Sequence, residues 1–202
     1  MACFRADQPL RMTENPIAIT LLNDFVFCPA SIFFHGLDAG AESLASQCSD
    51  QINGSASHAA SDSGDYSDRK TVLQAIPVYC EQYGLVGKID VFDISTGVLT
   101  ERKRQIKTVY DGYVFQLYAQ YFSLSEMGYT VKELRLYSMI DNKKYPVPFP
   151  DDDPEMFERF LSTLHKIRSF NFDGFRQDNG EKCLHCIYEP LCSFAREVSD
   201  TK

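Results

Sequence analysis

The chain has 202 residues, 44% of them hydrophobic and 24% charged, enough to bury one core as a soluble domain. Its net charge of −8 argues against a generic nucleic-acid coat protein, although a local basic groove stays compatible with it. No apolar run approaches the ~20 residues of a membrane helix, and Met1 to Arg11 carry no signal-peptide pattern, so a cytoplasmic protein with no membrane partner is expected.

Residues 1–18 read as an N-terminal extension, 19–196 as a single domain and 197–202 as a tail. Ile19 to Leu37 predicts a helix with Thr20 as N-cap and Leu21, Leu22, Phe25 and Val26 on its apolar face. Pro29 breaks it and opens a second turn. From 41 to 69 the composition shifts to Ser, Asp, Gly and Ala, an insertion too long for an incidental connection, with His58 its only histidine. The pattern then becomes β. Val72–Tyr83, Leu85–Ile94 and Val98–Gln105, separated by Gly84 and by Ser95-Thr96-Gly97, predict an antiparallel meander. Tyr110–Met127 is the clearest helix, stopped by Gly128. Leu134–Ile140 predicts a strand, with Lys144–Val147 as its hairpin partner. Pro154–Phe170 predicts a further helix, opened by Asp151, Asp152 and Asp153 at its positive end. The expected class is α/β, a central mixed β-sheet flanked by helices.

Seven cysteines in a reducing compartment are poor disulfide formers, so their clustering points to ligation. Cys183, Cys186 and Cys192 read C-x2-C-x5-C, and Cys28 stands far upstream in Phe-Cys-Pro. A metal or an iron–sulfur cluster held by these four would tie the two ends of the domain together. Zinc also suits four thiolates, but a zinc ribbon usually presents two local C-x2-C pairs, and here one ligand is remote. Cys3, Cys48 and Cys80 have no clustered partner and read as spare thiols, Cys80 within a strand, with Cys3 or Cys48 the alternatives to Cys28 as the remote ligand.

The middle of the chain carries a second pattern. Asp90 ends Gly87-Lys88-Ile89-Asp90, and Glu101-Arg102-Lys103 follows in the next strand. Antiparallel neighbours sit ~5 Å apart, so two carboxylates on one side can share a divalent cation. Lys103, two residues on, shares the face of Glu101. Two carboxylates and a lysine suit phosphodiester hydrolysis. The carboxylates hold Mg²⁺ or Mn²⁺, and the lysine positions water or stabilises the developing charge. Asp93 points to the opposite face from Asp90. Gln116 lies at the start of the helix that must pack beside this strand. The basic segment from Glu101 to Lys107 offers phosphate contacts through Arg102, Lys103, Arg104 and Lys107, with Tyr110 and Tyr113 available to stack on bases. His35, His165 and His185 read as non-catalytic, His185 as an outer contact of the cysteine cluster.

Asp, then Glu-x-Lys, then a helix with Gln resembles the ordered motifs of the RecB-like, or PD-(D/E)XK, nucleases. His58 in Gly54-x3-His resembles their first motif. With the Phe-x-x-Cys-Pro cysteine and the C-x2-C-x5-C tail, the chain resembles the CRISPR-associated iron–sulfur exonucleases of that group, over Ile19 to Phe194. The resemblance implies a RecB-like fold in which an iron–sulfur cluster joins the N- and C-terminal segments. It implies His58, Asp90 and Glu101 as ligands of Mn²⁺ or Mg²⁺, with the backbone carbonyl of Arg102 as a fourth. Lys103 would be the catalytic lysine, Gln116 would orient that lysine or a DNA phosphate, and Cys28, Cys183, Cys186 and Cys192 would hold a 4Fe–4S cluster. Arg104, Lys107 and Tyr110 would contact DNA. The implied function is trimming single-stranded ends of spacer precursors before their integration into a CRISPR array. The integrase and its small companion subunit would be partners, and fragments would be selected and oriented by their adjacent motif. The chain departs from the family's Q-h-x-x-Y motif, having Gln120 where tyrosine is expected; Tyr118 and Tyr121 point elsewhere on the helix. A non-catalytic DNA-binding or scaffold subunit, stapled by its cluster, is the alternative, and a zinc-binding regulator a third reading.

Overall fold

Two sheets share one bent hairpin, and the bend determines where Asp90 sits. The computed structural model describes residues 16–38 and 71–195. His58, Cys3 and Cys48 lie outside the described residues, as do the 41–69 insertion, most of the extension and the tail.

Strand β1 (Ile17–Ala18) runs straight into helix α1 (Ile19–Phe27). Ala18, not Thr20, occupies the N-cap position, and no side chain caps it. Strand pairing sets this start: Ile17 and Ala18 lie parallel to Leu85 and Val86. The helix ends at Cys28, whose N–H donates to the Asp24 carbonyl at 2.8 Å. Helix α2 (Ser31–Asp38) begins beyond Pro29, so the run expected from Ile19 to Leu37 is two helices. Proline disfavours the helical region for the residue before it, and Cys28 is accordingly extended, with φ −156° and ψ 120°.

Each of the first two β runs is divided at the same corner. Strands β2 (Val72–Gln74) and β3 (Pro77–Cys80) pair antiparallel with β5 (Val91–Asp93) and β4 (Leu85–Lys88) respectively. No residue is inserted between the two halves. The Ala75 N–H donates to the Asp90 carbonyl at 3.3 Å, and the Ile89 N–H to the Ile76 carbonyl at 3.1 Å. Ala75 has φ 51°, a left-handed conformation uncommon for a residue with a Cβ, and Pro77 opens β3 because it has no N–H to give a ladder interior. Asp90 is therefore at the corner between β4 and β5, not inside a continuous strand as expected.

The smaller sheet has the order β1-β4-β3, and the larger runs β2-β5-β6-β7-β8. Strand β6 (Val98–Lys103) is antiparallel to β5 and parallel to β7 (Glu133–Ser138), and β8 (Lys143–Val147) closes the edge antiparallel to β7. A parallel pair needs a crossover, which helix α3 (Asp111–Glu126) supplies. Strand β6 stops at Lys103 rather than Gln105 because the chain turns to bury Ile106, whose N–H donates to Ser138 Oγ at 3.1 Å. Helix α4 (Pro154–Ser169) is capped by Asp153, which accepts from the Met156 N–H at 3.1 Å. Helix α5 (Gly180–Leu184) and a 3-10 turn at Glu189–Leu191 carry the cysteine tail. The architecture is mixed α/β, as composition and patterning predicted. Among the described residues no helix is long and apolar enough to cross a membrane.

Helix α3 is the axis of the core. Leu117, Tyr118, Ala119 and Leu124 are fully buried, and Phe160 of α4 packs against Tyr83, Phe115, Tyr118 and Phe122. Its first turn touches α1 so closely that a Cβ on Gly112 would lie 2.9 Å from Asn23 Cα and 2.6 Å from Asn23 Oδ1. Backbone cannot yield as a side chain can. Gly112→Ala should therefore lower stability by about 1–3 kcal/mol, the usual range for overpacking, measured as a shift of the urea midpoint. An unchanged midpoint would contradict the α1–α3 contact.

Candidate active site

Side chains of β6 alternate, so Glu101 and Lys103 share the face covered by α3 while Thr100 and Arg102 take the other. The Glu101 side chain is 3% exposed and that of Lys103 15%, so a buried acid sits beside a base still reachable from solvent. Lys103 Nζ lies 2.8 Å from Glu101 Oε1 and donates to Gln116 Oε1 at 2.5 Å. On the other side Gln120 Nε2 donates to Glu101 Oε2 at 2.6 Å. Gln116 and Gln120 are one helical turn apart on α3, which lets both amides face β6. The ring of Tyr113 lies under the lysine, its centroid 4.9 Å from Nζ.

Asp90 joins this group from the corner. Extending the β5–β6 register by one step sets it opposite Glu101, and its Oδ2 accepts from the Arg102 N–H at 2.8 Å. In an extended strand one residue's N–H and C=O point to the same side, so the Arg102 carbonyl faces the Asp90 side. The Lys103 carbonyl turns the other way and accepts from the Met139 N–H at 2.9 Å. Two carboxylates and a backbone carbonyl make an oxygen donor set that fits Mg²⁺ or Mn²⁺. The expected further ligand, His58, lies outside the described residues. Among the described residues no three His, Cys, Asp or Glu side chains surround a single ion.

Burial, and then the neighbouring Asp90, push the Glu101 carboxyl above its ordinary range, with Lys103 and Gln120 only partly offsetting this. Burial works against the Lys103 ammonium, but Glu101 and then Asp90 outweigh it, so its pKa is raised and it stays charged.

The basic segment divides. Arg102 is buried, with Nη2 3.6 Å from Met139 Sδ, so its side chain is not a surface phosphate contact; strand alternation turns it away from Lys103. Arg104, Lys107 and Tyr110 are exposed. Ile106 pins their loop from beneath, through Ser138 and through its carbonyl, which accepts from Tyr145 Oη at 3.2 Å.

The four cysteines meet at a separate place. Cys28, Cys183, Cys186 and Cys192 line one cavity together with Phe27, Gln177, Lys182, Glu189 and Ala195. Burial raises the Cys186 pKa, and so do the nearby Cys28, Cys192 and Cys183. Ring contacts bind the segment after α4 to the first helices: Phe25 to Phe170 with centroids 5.5 Å apart, and Phe34 stacked on Tyr188 at 5.0 Å. Four thiols on one cavity are a donor set that either an iron–sulfur cluster or a tetrahedral zinc ion would take. Cys80 is apart from them. It is buried in β3, and burial followed by Glu126 pushes its thiol up to about 12, leaving it inert. His185 is exposed and does not line the cavity.

Gln120 is the residue whose place sequence reasoning did not find. It stood out only as a departure from a tyrosine, yet it holds Glu101. Its spacing of four from Gln116 was the available signal.

No protein-family model matches the chain, and no curated protein matches it. Solved structures do, and one of them is the crystal structure of SSO0001. It is 16% identical, with a TM-score of 0.53, covering 91% of this chain and 89% of that one. At that identity the likeness is one of fold alone.

Glu101 also sets a pH dependence for the cation-free protein. Its folded pKa is raised, so the folded state keeps a proton that the unfolded state releases near the ordinary glutamate value of about 4.3. Stability should fall as pH rises from that value towards the folded pKa. Lys103, also raised, loses its contribution only above the lysine range. Urea melts across this window should show the decline in the native chain and a flatter profile in Glu101→Gln; identical profiles would contradict the assignment.

Proposed function

We propose that the protein is a metal-dependent single-stranded DNA exonuclease of RecB-like fold with a structural 4Fe–4S cluster. The observation that carries this reading is the set Asp90, Glu101, Lys103 and Gln116 at the contact of β6 with α3. Asp90, Glu101 and the Arg102 carbonyl would hold Mn²⁺ or Mg²⁺, with His58 the further ligand that the resemblance implies. Once bound, the cation polarises a phosphoryl oxygen and lowers the pKa of water. Lys103 has three N–H donors, of which Glu101 and Gln116 take two, leaving one for a phosphodiester oxygen as its charge grows. Gln116 keeps the lysine from swinging towards solvent. Arg104 and Lys107 follow the DNA backbone, and Tyr110 stacks on a base.

Cys28, Cys183, Cys186 and Cys192 hold the cluster, which staples the ends of the domain rather than taking part in the chemistry. By resemblance, the substrate is the single-stranded end of a spacer precursor awaiting integration into a CRISPR array in the cytoplasm. The integrase and its small companion subunit are the working partners, and the adjacent motif selects and orients the fragment.

The test is an anaerobic preparation of the full chain, checked by visible spectrum and assayed on end-labelled single-stranded DNA with Mn²⁺. Coloured native protein should trim its substrate. Asp90→Asn and Lys103→Met should keep colour and fold but cleave at least ~100-fold more slowly, the scale of losing one charge-stabilising donor. Undiminished cleavage by both variants would sink the assignment, and a coloured, folded native chain that never cleaves would favour the non-catalytic subunit.

A further inference from the structure

We infer that Gln120 is a positioning residue for the divalent cation: it locks the Glu101 carboxylate from α3 and offers the site one more buried acceptor. This rests on the metal-dependent reading above and adds to it a residue that the family motif does not supply.

Gln120 is only 2% exposed. An ionised carboxylate accepts and never donates, so the amide must turn its nitrogen to Glu101, as the 2.6 Å contact from Nε2 to Oε2 has it. Lys103 holds the other oxygen, Oε1, at 2.8 Å. With a different donor on each oxygen, the carboxylate plane cannot rotate about its last bond, and each oxygen keeps a lone pair for the cation. Removing the amide would leave Glu101 answering to Lys103 alone, free to turn away from Asp90.

The same orientation leaves Gln120 Oε1 buried with no hydrogen-bond partner among the described residues. Buried acceptors rarely go unsatisfied, so this oxygen stands open to a donor that enters with the cation. A tyrosine at this position would still donate one O–H to Glu101, so it tests positioning separately from side-chain identity.

The experiment titrates Mn²⁺ into the full, cluster-bearing chain freed of divalent cations, by calorimetry and by the Mn²⁺ electron paramagnetic resonance signal. Gln120→Met keeps length and volume while removing the hydrogen bond to Glu101 and the unpartnered acceptor. It should weaken Mn²⁺ binding by about 10–100-fold, the usual effect of losing a group that orients a ligand, in a chain that still unfolds cooperatively and keeps its cluster spectrum. Gln120→Tyr should recover most of the affinity. Native affinity in Gln120→Met overturns the inference, as does a folded Gln120→Tyr that binds as weakly as Gln120→Met. A native chain that binds no Mn²⁺ overturns the metal-dependent reading itself, whereas native binding with an unaffected Gln120→Met overturns only the role of Gln120.

Discussion

A buried glutamate and a mostly covered lysine stand side by side between β6 and α3, and much of the structure serves to keep them there. Burying two charges is expensive unless every remaining lone pair and proton finds a partner, and a well-packed apolar pair is often at least as stable. The partners are supplied here from two directions. Gln116 takes the lysine and Gln120 takes the glutamate, both from one face of α3. Asp90 adds a second carboxylate, held at the Arg102 N–H. A chain shaped only for stability gains little from such a group. A chain that binds a cation gains a pre-set pair of oxygen donors with a lysine at hand.

The position of α3 depends in turn on α1. Gly112 lets the two helices touch at Asn23, and Gly87 leaves room for Ile19, whose Cβ would lie 3.0 Å from any Cβ added there. At the far end of α1 stands Cys28, facing the cavity that the three C-terminal cysteines also line. A cluster at that cavity would fix the end of α1, α1 would set the seat of α3, and α3 would present the two amides to β6. The cysteines can therefore matter to the carboxylate site without touching it.

Periodicity and capping made the large elements legible. Helix α3 and strands β6 to β8 lie close to where the sequence puts them, and Asp153 caps α4 from the acidic run. The adjacency of Glu101 and Lys103 followed from alternation along a strand, and that strand exists. The corner at Ala75 and Asp90 was not legible, because a left-handed alanine leaves no compositional mark and the β pattern runs on through it. Thr20 was misjudged as a cap because a hydroxyl is a local signal, whereas the helix start is set by the pairing of β1 with β4, some 70 residues away in sequence. Arg102 looked like a surface cation because charge is visible in a sequence and facing is not. Gln120 was hidden for a related reason: its partner lies on another element, and only the packing of α3 on β6 reveals what its amide is for.

Anomalous diffraction from crystals of the full chain, grown without oxygen in Mn²⁺, tests whether the buried carboxylates are a cation site. A manganese peak should lie between Asp90 and Glu101, with iron density among Cys28, Cys183, Cys186 and Cys192. Well-ordered carboxylates still bonded to Lys103 and Gln120, with no manganese beside them, would contradict it.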